Sequence, residues 1–124
     1  IEKLKEFEPM WKLSQFDSIY LQNALEDRVF KGVSQKVNEK NRIELESILK
    51  GSSFVEEIST SSANYILVKL KEIKAKEFQE RLKPYKIMVR DCSNFDYLDD
   101  RFVRVAVKSS NANDSLKRAL KHIC

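Results

Sequence analysis

Hydrophobic positions along this chain follow two different periods, and the switch between them outlines the fold. After Ser14, a plausible helix N-cap, Phe16, Ile19, Tyr20 and Ala24 recur at helical spacing. A longer helical pattern runs from about residue 27 to 50. Its candidate core positions are Val29, Phe30, Val33, Val37, Leu45, Ile48 and Leu49, and Gly51 follows Lys50 as a C-terminal cap would. Both stripes are too apolar to stand alone and must pack on something.

The period then changes. Phe54–Ile58 reads as a short strand, Ser59–Ser62 as a turn, and Asn64–Leu70 as a stronger strand. Lys74–Leu82 is a short amphipathic helix ended by Pro84. From Lys86 to Lys108 the pattern gives two strands joined by a polar loop, with Arg90 ending the first and Arg104 inside the second. Ser110 or Asn111 caps a last helix through Ile123, which buries Leu116, Ala119, Leu120 and Ile123. This order predicts an α+β fold, with helices packed on one side of a small, mainly antiparallel β-sheet.

A chain of 124 residues is one domain by length and can bury a real core. The +4 net charge is spread along the sequence, which describes a solvated surface and no nucleic-acid patch. No apolar run approaches the ~20 residues of a membrane span, and the amino terminus has no signal-peptide pattern. Cys92 and Cys124 form neither a metal nor a redox spacing, so a reduced, cytoplasmic setting is expected. The chain starts at Ile1 and not at methionine, which suggests processing or a piece of something longer. Residues 1–13 read as a lead-in arriving from elsewhere, and 14–124 as the folded domain.

Several chemistries are missing. Gly32 and Gly51 are the two glycines, so no glycine-rich loop cradles a phosphate. The single histidine, His122, falls in the last helical turn, where a cation suits the helix dipole. Ser47-Ile-Leu-Lys50 matches a serine–lysine pattern but sits at a helix end, and reads as surface. Asp96, Asp99 and Asp100 fit no calcium-loop spacing, so no metal site is expected. Tyr65, Phe95, Tyr97 and Phe102 lack the glycine-aromatic signature of an RNA-binding sheet, and read as core and loop packing.

Two arginines remain. Arg104 lies between Val103 and Val105 in an otherwise apolar strand, and Arg90 lies beside Asp91. A planar fork of donors on a rigid strand suits a carboxylate or phosphate, and two forks suit a doubly anionic small molecule. The bland alternative pairs Arg90 with Asp91 or Asp99.

Here the residues carry a resemblance. Val89-Arg-Asp-Cys-Ser-Asn-Phe95, then Leu98 and Phe102-Val-Arg-Val-Ala-Val107, resemble the carboxy-terminal domain of class I/II aminotransferases, the fold-type I pyridoxal-phosphate enzymes. Threonine-phosphate decarboxylases and histidinol-phosphate aminotransferases look closest. Ser62-Ala-Asn-Tyr-Ile-Leu-Val68 is similar to the family's Ala-Asn-Phe strand, Asn111–Leu120 to its terminal helix, and Pro9–Ser14 to its proline-tryptophan segment. Two departures stand out. Met10 separates Pro9 from Trp11, and Asp96-Tyr97 replaces a glycine commonly found after the Asn-Phe pair.

The resemblance implies that Arg104 grips the substrate α-carboxylate and Arg90 a substrate phosphate. It implies an amino-acid substrate, transamination or decarboxylation, and pyridoxal phosphate held by a large domain that precedes Ile1, with its Schiff-base lysine. No catalytic, cofactor-binding or metal residue is then expected in 1–124, and the piece alone is expected to be inactive. Its partners would be its own large domain and, in the full-length protein, a second copy, with no nucleic acid and no membrane. The reading from another class is a stand-alone α+β module whose arginines bind an anionic ligand or a protein partner.

Overall fold

A computed structural model describes residues 13–123. The lead-in, apart from Leu13, and Cys124 lie outside the described residues. The chain divides into two compact units, 1–34 and 35–124.

The first unit holds helix α1 (Gln15–Glu26) and the start of helix α2 (Arg28–Lys50). Ser14 caps α1 in a reciprocal box. The Asp17 N–H donates to Ser14 Oγ at 3.1 Å, and the Ser14 N–H donates to Asp17 Oδ2 at 3.1 Å. Asp27 caps α2 without the return bond, its Oδ1 accepting from the N–H groups of Val29 and Phe30. The expected core of these helices is corrected. Val29, Phe30, Val33 and Val37 are exposed, Val29 by 71%, and α1 buries no residue. Periodicity identified an apolar stripe, but no described element covers it.

The second unit contains the rest of α2, then β1 (Val55–Ile58), β2 (Tyr65–Leu70), α3 (Ala75–Leu82), a 3-10 turn (Lys83–Tyr85), β3 (Arg90–Asp91), β4 (Phe102–Ala106) and α4 (Ser110–His122). The strands order β1-β2-β4-β3, and every pairing is antiparallel. Strand alternation separates the faces. Ile66, Val68, Leu70, Val103 and Val105 point inward to meet Leu45 and Leu49 of α2, Phe78 and Leu82 of α3, and Leu116, Ala119 and Leu120 of α4. Burying each such side chain contributes ~1.5–3 kcal/mol before entropy is counted. Tyr65, Leu67, Lys69, Phe102, Arg104 and Ala106 take the other face, partly open to solvent. The expected α+β arrangement is the one found.

Three local expectations change. Arg90 opens β3 instead of ending a longer strand. Lys86 has a left-handed φ of 57°, and Gln79 Nε2 donates to the Val89 carbonyl at 2.7 Å, so the sheet cannot extend backward. Pro84 lies inside the 3-10 turn, and Gly51 ends α2 without a positive φ. Ser109, not Ser110, occupies the N-cap of α4; Ser110 Oγ donates to Glu44 Oε2 at 2.8 Å instead. Asn113 is a buried polar residue that the stripe did not predict. Its Nδ2 donates to the Asn41 carbonyl and to Glu44 Oε2, tying α4 to α2.

Candidate functional site

Arg90 and Arg104 are direct cross-strand partners of β3 and β4. Opposed residues in an antiparallel pair stand on the same face with Cα atoms ~5 Å apart. Leu67 of β2 pairs with Arg104 on its other side, so the row runs Leu67, Arg104, Arg90 across the outer face. Together with Asn64, Tyr65, Met88, Val89 and Ala106, the two arginines line a shallow depression of about 420 Å³.

Neither guanidinium pairs with a carboxylate among the described residues. Asp91 instead accepts from the Ser93 N–H at 2.8 Å, a bond that holds its carboxyl below the usual range. Asp99 accepts from the Arg101 N–H at 2.8 Å and is lowered for the same reason. The bland pairing of Arg90 with either acid is therefore not realised. Arg104 lies over the Tyr65 ring, 4.4 Å from its centroid. Arg90 lies over Phe95 at 5.9 Å and donates from Nη2 to Asn94 Oδ1 at 3.2 Å.

Each cation thus meets a different ring, Arg104 one on β2 and Arg90 one in the loop after β3. Two unit charges ~6 Å apart in water repel by roughly 0.7 kcal/mol, while two exposed cation–π contacts together supply about 1–2 kcal/mol. The aromatic contacts thus outweigh the repulsion that close pairing imposes. Cys92, two residues after Arg90, is buried. Desolvation pushes its thiol up, and the fields of Arg104 and Arg90 only partly oppose this.

Tyr65 and Phe95 are corrected from packing residues to neighbours of the arginines. Tyr65 alternates with inward Ile66 and lies diagonally from Arg104 across β2 and β4, a relation that appears only once the register is known. The backbone of Tyr65 is fixed as well, because Ser61 Oγ donates to its carbonyl at 2.6 Å.

The other candidates disperse. His122 stacks on Tyr85 with ring centroids 6.2 Å apart. Asp100 pairs with Lys74 and Asp99 with Arg101, and no metal-holding group of acids, cysteines or histidine occurs among the described residues. No helix among them is long and apolar enough to cross a membrane.

The described domain thus carries two arginines on one face without carboxylate partners among the described residues, and comparison with known proteins adds to this. The chain is 33% identical over 123 residues to a histidinol-phosphate aminotransferase of Methanocaldococcus jannaschii, matching 99% of this chain and 33% of that protein. It is 34% identical to a putative threonine-phosphate decarboxylase of Caldanaerobacter subterraneus, matching 98% of this chain and 33% of that protein. Among solved structures, the histidinol-phosphate aminotransferase of Clostridium acetobutylicum superposes with a TM-score of 0.83 at 30% identity, over 98% of this chain and 36% of that one. No family model matches. The chain's homologues are therefore histidinol-phosphate aminotransferases and threonine-phosphate decarboxylases, and its fold is that of one part of such an enzyme. It spans about a third of the length of these relatives.

Proposed function

We infer that this chain is the carboxy-terminal small domain, over residues 14–124, of a pyridoxal-phosphate enzyme that transaminates or decarboxylates an amino acid bearing a second anionic group. The observation that carries the reading is the directly opposed pair Arg90 and Arg104, on one face and free of carboxylate partners among the described residues. Two homologous enzymes named for phosphate-bearing compounds support it.

The depression holds no lysine and no carboxylate, so it does not fit pyridoxal phosphate by itself. In this reading the cofactor belongs to a large domain and, when bound there, withdraws electrons from the reacting carbon. This chain's own residues bind and orient. Arg104, fixed in β4 between β2 and β3, holds the α-carboxylate with two parallel donors. Arg90, at the sheet edge, holds the distal phosphate. Met88, Val89 and Ala106 offer apolar surface in the depression to the apolar part of the substrate. A homodimer and a cytoplasmic setting belong to the same proposal.

A panel of phosphorylated and plain amino acids, tested on the full-length enzyme, checks the roles. Arg90→Ala should lose activity on phosphorylated substrates alone, and Arg104→Ala on all of them. Equal activity of both variants with wild type across the panel would sink the assignment.

A further inference from the structure

We propose that Tyr65 and Phe95 are positioning residues, each seating one guanidinium of the arginine pair so that it is oriented without being neutralised. The proposal rests on the reading of Arg90 and Arg104 as ligand-holding groups, and deepens it. An arginine side chain has four rotatable bonds, and a binding arginine must lose that freedom before the anion arrives to be effective. The usual fixative is a carboxylate within 4 Å, but a carboxylate occupies the donors and competes with the ligand.

Here the nearby acids are turned elsewhere, Asp91 to the Ser93 N–H and Asp99 to the Arg101 N–H. What each guanidinium meets instead is a ring face, Tyr65 at 4.4 Å and Phe95 at 5.9 Å from the centroid. A ring attracts the cation through its quadrupole and leaves the in-plane N–H fork free. Asn94, the one polar partner of Arg90, is a neutral acceptor. The backbone under each ring is held. Tyr65 pairs with Ala106 and its carbonyl accepts from the Ser61 hydroxyl, and the Phe95 N–H donates to the Cys92 carbonyl at 3.0 Å. The two rings belong to different segments, Tyr65 to β2 and Phe95 to the loop after β3, so each grip has its own seat.

The test follows the arginine Nε–H signals of the 124-residue chain by NMR, with inorganic phosphate and O-phospho-L-threonine as titrants. Tyr65→Phe should leave the order of Arg104 and its response unchanged, whereas Tyr65→Leu should lower its order parameter and weaken the response roughly two- to fivefold. Pentafluorophenylalanine at position 65 keeps the ring's shape and reverses the charge of its face, so it should behave as leucine does. Phe95→Leu should act on Arg90 in the same way, with Phe95→Tyr as the retaining change. Unchanged order of Arg104 in Tyr65→Leu and in the fluorinated variant would overturn the proposal. Ordered wild-type arginines that respond to neither titrant would instead remove the ligand-holding reading, while the order parameters still decide the seating.

Discussion

Arg90 and Arg104 face each other directly across β3 and β4, two like charges at a position where a sheet ordinarily places partners of opposite sign or matching shape. Each head instead rests on its own ring, Arg90 on Phe95 and Arg104 on Tyr65. The repulsion should nevertheless be measurable. A double-mutant cycle with Arg90→Gln and Arg104→Gln, followed by urea unfolding, should return a coupling of about 0.2–1 kcal/mol of repulsive sign. It should shrink in 1 M salt, where the screening length is ~3 Å. An attractive or vanishing coupling at low salt would mean that the heads do not sense each other.

Tyr97 has φ 66°, in the left-handed region that favours glycine, and its side chain is fully exposed. A non-glycine residue there holds a conformation that side chains disfavour. Tyr97→Gly should therefore stabilise the chain by about 0.5–1 kcal/mol, less than the full left-handed penalty because glycine gains freedom when unfolded. Thermal unfolding checks this, and a fall in Tm would show that the loop gains nothing from relief at this residue.

Glu44 should contribute to acid sensitivity through its helix-to-helix bonds. The Asn113 amide and then the Ser110 hydroxyl hold its carboxyl below the ordinary 4.5. A carboxylate with a depressed folded value stabilises the fold at pH above its unfolded value, and that contribution is lost as pH falls through the folded one. Glu44→Gln should accordingly flatten the decline of stability below about pH 4.5 while leaving the neighbouring Asp91 and Asp99 contributions in place. Chemical denaturation at stepped pH gives the slope, and an unaltered slope would remove Glu44 from the account.

Cys92 feels the fields of two cations, a setting that usually activates a thiol, yet burial dominates and raises its pKa. In a Cys124→Ser background, native Cys92 should react with a disulfide reagent far more slowly than the same chain in denaturant. Rapid native labelling would mean that the outer face opens to expose it.

The alternation at Tyr65–Leu70 and Phe102–Ala106 and the cap at Ser14 were legible because each rests on neighbours in sequence. The registers were not. The placement of Arg90 opposite Arg104 depends on the shape of the turn from Cys92 to Arg101, and the contact of Tyr65 with Arg104 on a strand more than thirty residues away. Burial failed at Val29, Phe30, Val33 and Val37 for a different reason. A helical stripe reports which face is apolar and says nothing of what lies over it. Asn113 escaped because a polar residue on an apolar face is readable only when its partners, Asn41 and Glu44 of a distant helix, are known.

The uneven anchoring of the two arginines has a mechanical consequence. Arg104 belongs to a strand bonded on both sides and cannot shift without breaking the ladders to β2 and β3. Arg90 belongs to a two-residue strand at the open edge and can move at the cost of few bonds. The pair is a vice with one fixed jaw and one compliant jaw. Under the proposed ligand-holding role, tolerance for molecules of different length would reside at the Arg90 end, and the reference point for that length at Arg104.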